Sequence, residues 1–420
     1  MTELRDYQIA LATHASSILT RMGCVYLCFE TRVGKTLTAL LTAHLVNATD
    51  VLFITKRKAI DGGSIQKDFD LLSQAYPIRF SLEIISMDSL HKVTWKPGRV
   101  LIFDEAHSFG AYPKPSKRAI MLAGLSRECS VIFLSATPSP ESYSQIYHQL
   151  WAARAKTDLI TPYKNFYHWA KTFVNVKQKK IAKGLSVNDY SDAKIDLIKP
   201  YLNEFSIAYS KQDAGFIQTG VKELIYSVPM PGVIQDGIKK IKDGLWQYMG
   251  INIEAPTAAS VMSKTHQIES GTIIPLTGEV GIIISRHKLP MVDACLAMYK
   301  KIAVFYKFIA ERNMLMDHYG DRVTENVQEF NADPHKIFIS QFLSGREGID
   351  LRTARALVMF NVDHAFLSYE QTKNRICSYE RETIPLLIWI FTEGGLGHKI
   401  YKVVQGKKNF TLAHFKRMEK

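Results

Sequence analysis

Three consecutive residues, Gly34, Lys35 and Thr36, have the types and spacing that hold a triphosphate. They follow an apolar, strand-like run and open a helical pattern within the segment CFETRVGKTLTAL. Backbone N–H groups at such a helix start attract phosphate oxygens, the lysine adds a point charge at the β- and γ-phosphates, and the threonine hydroxyl can ligate Mg²⁺. We call residues 29–36 the phosphate loop. Its chemistry is that of a nucleoside triphosphatase.

The phosphate loop matches only part of the full pattern, because Phe29 stands five residues before Gly34, where the full pattern has a glycine. Taken alone, the loop also fits an ordinary turn between a strand and a helix. A second motif must therefore decide between the two interpretations.

The second motif is the run VLIFDEAH, residues 100–107, in which an apolar strand ends in two carboxylates. Parallel strands bind ligands at their carboxyl ends, so Asp104 is placed to hold Mg²⁺ and Glu105 to deprotonate the attacking water. The alternative is that both acids cap the following helix. Because a phosphate loop is also present, we favour the interpretation in which Asp104 holds the metal and Glu105 is the base over the one in which both cap a helix.

Seven further segments carry motif-like residues; five of them, from 51–60 to 336–351, read as apolar strands with polar ends, and the last reads as a helix. They are LRDYQ (4–8), VLFITKRKAI (51–60), IISMDSL (84–90), VIFLSATPSP (131–140), KIAVFYKF (301–308), KIFISQFLSGREGIDL (336–351) and SYEQTKNRICSYER (368–381). In this order, the motifs resemble those of the superfamily 2 helicases, and within them the Swi/Snf-type DNA translocases and their compact phage-encoded relatives with a DEAH motif. The resemblance covers nearly the whole chain.

This resemblance implies an α/β fold with two RecA-like lobes, meaning parallel sheets flanked by helices, and a helical protrusion or linker between them. It implies a catalytic set of Lys35, Asp104, Glu105 and Arg375. The residues expected to bind ATP are Arg5, Gln8 (which would read the adenine), Val33, Gly34, Lys35, Thr36, Thr38, Gly348, Asp350 and Gln371, with Thr36 and Asp104 on Mg²⁺. Those expected to contact nucleic acid are Lys56, Arg57, Ser86, Ser344 and Arg346. Ser135 and Thr137 would couple the two sites.

One helix departs from the family pattern. Arg375 would reach the γ-phosphate across the cleft between the lobes, but Asn374 precedes it, and Ser378 stands where the family has a second arginine. Because such an arginine is worth roughly 10³ to 10⁵ in rate, either Arg375 acts alone, or Arg381 reaches in, or turnover is slow. The phosphate loop also has Arg32 where eukaryotic members have a glycine.

Composition agrees with a nucleic-acid partner. The 420 residues carry a formal charge of +13, of which residues 1–150 contribute 16 basic and 13 acidic side chains. A basic balance favours a polyanion through phosphate contacts, although solubility alone also explains it. Five cysteines in mostly apolar contexts indicate reduced core residues, and no apolar run approaches a membrane span. We expect a cytoplasmic protein, in a bacterial host if it is phage-encoded.

The sequence predicts lobe 1 at 1–155, a helical protrusion and linker at 156–215, and lobe 2 at 216–420 with a helical insertion near 232–270. The predicted function is that of an ATP- and Mg²⁺-dependent DNA helicase or translocase, acting by duplex translocation or branch migration in replication, recombination or repair. A DEAH-class RNA helicase, and an ATP-binding nucleic-acid clamp with weak turnover, are the alternatives. Protein partners are unknown from the sequence.

Overall fold

The computed structural model describes residues 4–30, 33–182, 185–215, 221–275, 281–342, 351, 353–365, 368–369 and 384–406. The chain divides into two units, Met1–Ile217 and Gln218–Lys420. Each unit holds one six-stranded sheet whose described strands all pair in parallel, and α-helices lie on several of the described connections between strands. The predicted α/β class with two RecA-like lobes is confirmed.

The first sheet has the strand order β3-β2-β4-β5-β1-β8. Its strands are β1 (Cys24–Phe29), β2 (Asp50–Thr55), β3 (Ser81–Ser86), β4 (Val100–Phe103), β5 (Ser130–Leu134) and β8 (Ser206–Tyr209). The helices that accompany β1 to β5 are α1 (Asp6–Met22), α2 (Lys35–Leu45), α3 (Arg57–Asp61), α4 (Ser64–Ala75), α5 (Lys117–Leu125) and α6 (Ile146–Ala152). β1, β2 and β4 are buried along nearly their whole length, which explains their continuous apolar sequences.

The segment predicted as a helical protrusion and linker contains two helices, α7 (Phe166–Phe173) and α8 (Ile195–Phe205). It also contains an antiparallel hairpin of β6 (Lys177–Ala182) and β7 (Leu185–Asp189), and it ends in β8. β8 pairs in parallel with β1, from Tyr26 opposite Ser206 to Phe29 opposite Tyr209. This part of the chain therefore completes the first sheet.

The second sheet has the strand order β15-β16-β14-β17-β18-β9. Its strands are β9 (Lys222–Val228), β14 (Ile302–Tyr306), β15 (Val323–Thr324), β16 (Ile337–Gln341), β17 (Ala356–Met359) and β18 (Leu386–Thr392). Side chains alternate between the two faces of β18, because Trp389 and Phe391 join one apolar cluster while Ile388 and Ile390 join another.

The remaining elements of the second unit connect or cover this sheet. The described helices are α9 (Gly232–Lys242), α10 (Ala258–Glu269), α11 (Leu289–Tyr299), α12 (Ile309–Tyr319), α13 (Val327–Ala332) and α14 (Leu396–Gln405). Two small antiparallel pairs lie between β9 and α11, namely β10 (Leu245–Tyr248) with β11 (Ile251–Glu254) and β12 (Thr272–Ile273) with β13 (Ile282–Ile283). The insertion predicted as helical thus includes a hairpin between α9 and α10.

Among the described residues, none of the helices has the length and apolar character needed to cross a membrane. Four cysteines of the described ranges, Cys24, Cys28, Cys129 and Cys295, are free thiols.

Candidate functional site

The phosphate loop joins the end of β1 to the first residue of α2. Gly34 has a φ of +84°, a left-handed conformation that glycine adopts without strain, and Lys35 opens the helix. The Lys35 Nζ donates hydrogen bonds to the carbonyl oxygens of Phe29, at 2.9 Å, and Glu30, at 3.3 Å. Thr36 is half-buried in the first turn of α2. The ammonium, the hydroxyl and the helix start therefore lie together.

The start of α1 packs against the phosphate loop. The Gln8 side chain is buried, and its Oε1 accepts a hydrogen bond from the backbone N–H of Arg5 at 3.0 Å. Its Nε2 occupies the space into which a Cβ on Gly34 would project. The hydroxyl of Tyr7 donates to the carbonyl of Val33 at 3.1 Å. The segment LRDYQ thus holds the phosphate loop in place through Tyr7 and Gln8.

Thr38 and Arg5 make two further hydrogen bonds next to the phosphate loop. Thr38 Oγ1 donates to the carbonyl of Gly34 at 3.0 Å, one turn into α2. The Arg5 Nη1 lies 3.4 Å from the hydroxyl of Tyr7. The predicted nucleotide residues of the first unit therefore surround one loop.

Tyr209 is a residue of this region that the sequence did not reveal. Its ring stacks on Tyr7 with centroids 5.1 Å apart, and it lies 5.9 Å from the ring of Phe29. Its carbonyl accepts the backbone N–H of Glu30 at 3.0 Å. Tyr209 reaches the loop because β8 pairs with β1. The run SIAY is too short for its apolar residues to signal that pairing.

Asp104 follows β4 at the same edge of the first sheet. Thr55, at the end of neighbouring β2, donates to Asp104 Oδ2 at 2.9 Å, and the backbone N–H of Glu105 donates to Oδ1 at 3.0 Å. Burial raises the pKa of the Asp104 carboxyl, and the charge of Glu105 raises it further, while Lys35 and Thr55 act in the opposite direction. Lys35 and Asp104 are therefore close enough to interact electrostatically. No local pattern in the sequence predicts that Thr55 would orient this carboxylate.

Glu105 has a left-handed backbone, with a φ of +51°, which is unusual for a residue with a side chain. Its Oε2 lies 3.2 Å from Nδ1 of His107, and that nitrogen also lies 3.1 Å from Oγ of Ser135. Ser135 Oγ in turn accepts the backbone N–H of Thr137 at 3.1 Å. The acidic pair and the Ser-Ala-Thr turn after β5 are thus joined through one imidazole.

The oxygen groups at this edge suit Mg²⁺ better than a softer metal. A hydroxyl, Thr36, and a carboxylate, Asp104, are hard ligands, and Mg²⁺ typically takes only one or two protein ligands beside phosphates and water. Among the described residues no cluster of three histidine, cysteine or acidic side chains forms a separate metal centre.

The residues predicted to contact nucleic acid in the first unit lie after β2 and β3. Lys56 is half-buried at the end of β2, whereas Arg57 is exposed and forms an ion pair with Asp61 at 3.0 Å on α3. Ser86 ends β3, and its Oγ lies 2.9 Å from that of Ser89. All three therefore follow strands at the edge that carries Asp104. Their predicted role stays a prediction.

The predicted site residues of the second unit lie outside the described residues. They are Ser344, Arg346, Gly348, Asp350, Gln371 and Arg375, together with the neighbouring Asn374, Ser378 and Arg381. The strands that would lead to them are present, since β16 ends at Gln341 and β17 ends at Met359.

Comparison with known proteins gives a structural likeness. No protein-family model matches the chain, and no curated protein matches it. Among solved structures, the chain is similar to the Sulfolobus solfataricus SWI2/SNF2 ATPase core in complex with dsDNA. The identity is 16%, the TM-score is 0.43, and the likeness covers 96% of this chain and 91% of that one.

Proposed function

We propose that this chain is an ATP-dependent DNA translocase, which hydrolyses ATP with Mg²⁺ and moves along or remodels DNA. The observation that carries the proposal is the meeting of two motifs at the carboxyl edge of one parallel sheet. Lys35 and Thr36 open α2 after β1, and Asp104 and Glu105 follow β4, which is separated from β1 only by β5. Such an edge is where open α/β sheets bind nucleotides.

Each side chain has a part in this proposal. Thr36 and Asp104 would hold Mg²⁺, which when bound neutralises charge on the phosphates. Lys35 would contribute a cation to the triphosphate, and Glu105 would orient the attacking water and accept its proton. His107, placed between Glu105 and Ser135, would keep the Glu105 carboxylate in a fixed position.

The choice of DNA rests on the order of the motifs, which resembles that of Swi/Snf-type translocases. The excess of basic residues supports a polyanionic partner but does not distinguish DNA from RNA. The activity that we propose is duplex translocation or branch migration in replication, recombination or repair. The predicted ATP-binding and nucleic-acid-binding residues of both units are part of this proposal.

Phosphate release from ATP, measured with duplex DNA, single-stranded DNA, a fork, a four-way junction and RNA, tests the proposal. We expect stimulation by DNA in the wild type. Lys35→Ala should lose nucleotide affinity and turnover, whereas Glu105→Gln should keep nucleotide affinity and lose turnover by about 10² to 10⁴, the usual contribution of a general base. Lys67→Ala, an exposed lysine of α4, is the control.

Three outcomes would contradict the proposal. Full DNA-stimulated turnover in both Lys35→Ala and Glu105→Gln would exclude this site as the catalytic one. Stimulation by single-stranded RNA with none by duplex DNA would indicate an RNA helicase. Tight nucleotide binding without DNA-stimulated phosphate release would indicate a nucleic-acid clamp.

A further inference from the structure

The hairpin of β6 and β7 belongs to neither six-stranded sheet. Its two strands pair only with each other, from Lys177 opposite Asp189 to Ala182 opposite Leu185, with an irregularity after Lys180. The residues described on both strands, 177–179 and 186–188, are exposed. A two-stranded hairpin without a covered face gains little stability from burial, so its exposed surface calls for another explanation.

The base of the hairpin is fixed firmly to the first unit. Val174 and Ala193 form a β-bridge below the strands, and the backbone N–H of Asn175 donates to the carbonyl of Asp192 at 2.8 Å. Tyr190 packs against the ring of Phe166, with centroids 5.4 Å apart. The exposed residues of the described strands therefore lie next to a root that is packed on the first unit.

The root is attached to the segment that follows β5. Ser142 Oγ donates to the carbonyl of Ser191 at 2.7 Å, and Ser144 Oγ donates to the carbonyl of Tyr190 at 2.6 Å. In the same segment, Gln149 donates to the carbonyl of Pro138 at 2.9 Å. The segment begins with the Ser-Ala-Thr turn that contacts His107. A displacement of the hairpin on binding a ligand would thus be transmitted to the residues beside the proposed catalytic base.

Charge is distributed unevenly along the hairpin. Residues 176–189 contain four lysines and one aspartate, and strand β6 itself, KQKKIA, has no acidic residue. The acidic groups lie at the root, where Asp192 forms an exposed ion pair with Lys177 at 2.6 Å and Asp189 stands opposite Lys177. Toward the turn, Lys179 stands opposite Val187 and Lys180 opposite Ser186. Apart from Asp189 at the root, the charged residues of β6 and β7 are therefore all lysines.

We infer that this hairpin binds the phosphate backbone of the DNA on which the proposed translocase acts, and that it reports this contact to the catalytic edge through residues 135–145. The inference rests on the proposed function. Exposed lysines on a strand edge also discourage pairing between molecules. That explanation predicts aggregation when the lysines are removed, and unchanged DNA affinity.

The test compares two triple variants that remove the same charge. One is Lys177→Gln, Lys179→Gln and Lys180→Gln on the hairpin, and the control is Lys239→Gln, Lys240→Gln and Lys242→Gln on exposed positions of α9. Affinity for a fluorescent duplex oligonucleotide is measured over a range of salt concentrations, with basal and DNA-stimulated phosphate release measured beside it. Circular dichroism and light scattering monitor folding and aggregation.

The logarithm of the DNA association constant falls with the logarithm of the salt concentration, and each lost phosphate contact makes this slope less steep by about 0.9. We expect the slope of the hairpin variant to be less steep than that of the wild type by about 2 to 3. We also expect this variant to need several-fold more DNA for half-maximal stimulation and to keep the basal rate. The control should keep the wild-type slope. An unchanged slope in the hairpin variant, with wild-type binding intact, would overturn this inference alone. Absence of DNA binding by the wild type would overturn the proposed function together with it.

Discussion

Thr55 donates a hydrogen bond to Asp104 Oδ2 at 2.9 Å, from the end of one strand to the end of its neighbour in the sheet. Thr55 is buried, so water cannot replace this donor. The contact fixes the orientation of a carboxylate that burial would otherwise favour in its neutral form. A residue without a role of its own in the reaction thus prepares the proposed metal ligand.

We therefore expect Thr55→Val to raise the Mg²⁺ concentration that half-maximal ATP hydrolysis requires. Loss of a hydrogen bond to a metal ligand typically costs about 10- to 100-fold in metal affinity or activity. Thr55→Ser keeps the hydroxyl and is the matched control. The measurement is a Mg²⁺ titration of phosphate release. A wild-type Mg²⁺ midpoint in Thr55→Val would show that Thr55 does not orient Asp104.

Alanine substitutions at Gly34 and at Gly63 distinguish the effect of backbone strain from the effect of a collision with Gln8. Both have left-handed backbones, with φ of +84° and +64°, but a Cβ on Gly34 would collide with the Gln8 amide, whereas one on Gly63 would meet nothing within 4 Å. Gly63→Ala should cost about 1 to 2 kcal/mol of stability, the strain of the conformation, and leave nucleotide affinity unchanged. Gly34→Ala should cost more and reduce nucleotide affinity.

Urea unfolding and binding of a fluorescent ATP analogue check this pair. Adding Gln8→Ala to Gly34→Ala should restore part of the lost stability, because the collision is then removed. Equal losses for the two glycine variants in both measurements would contradict a role of Gln8 in holding the loop.

Ser135 is the acceptor that joins the turn after β5 to His107. Ser135→Ala leaves the N–H of Thr137 without this acceptor, at a cost of about 1 kcal/mol of stability. Because it also removes the contact with His107, we expect DNA-stimulated phosphate release to fall roughly fivefold, as for a loss of about 1 kcal/mol in the transition state, with little change in the basal rate. Ser139→Ala is the control, since its hydroxyl is buried without a hydrogen bond. A proportional loss in both rates would argue against coupling.

The ion pairs of Asp50 with Arg99 and Lys96 make the stability of the first unit depend on pH. Arg99 Nε donates to Asp50 Oδ1 at 2.8 Å, Lys96 also pairs with this carboxylate, and both Asp50 and Arg99 are buried. Burial raises the pKa of the Asp50 carboxyl, but the hydrogen bonds and charges of Lys96 and Arg99 outweigh it and leave the pKa below its ordinary value. Ionised Asp50 therefore stabilises the fold above the pKa of the unfolded chain, and this stabilisation disappears as the pH falls through the lower, folded value.

Asp50→Asn should destabilise the first unit by on the order of 3 kcal/mol at neutral pH, because it leaves Arg99 partly unpaired. The difference from wild type should begin to shrink below about pH 4, where Asp50 of the unfolded chain takes up a proton, and should disappear as the pH falls through the lower pKa of the folded chain. Asp88→Asn, which breaks the exposed pair with Arg118, should cost under about 1 kcal/mol. Thermal unfolding across pH measures both. A constant difference at all pH values would contradict the linkage.

Local patterns were sufficient where the chemistry follows a strand directly. Gly34 to Thr36 after β1, and Asp104 with Glu105 after β4, could be placed because a buried strand is a continuous apolar run and its carboxyl end follows in sequence. The two-lobe fold was implied by the family resemblance of the motifs taken in order, and not by these local patterns alone.

Contacts between distant segments could not be predicted. The hydrogen bond from Thr55 to Asp104 depends on which strands are neighbours, and Tyr209 depends on the pairing of a four-residue strand. The run KQKKIA reads as helical because lysine and glutamine are good helix formers, yet it pairs as a strand with residues 185–189. A strand of that kind is defined by its partner and not by its own composition.

The pairing of β8 with β1 has a consequence for the growing chain. β1 leads into the phosphate loop, and one of its edges stays open until residues 206–209 have been made, about halfway through the 420 residues. An open edge invites pairing with other chains. The ribosome must therefore deliver half of the polypeptide before this edge of β1, next to the phosphate loop, is covered.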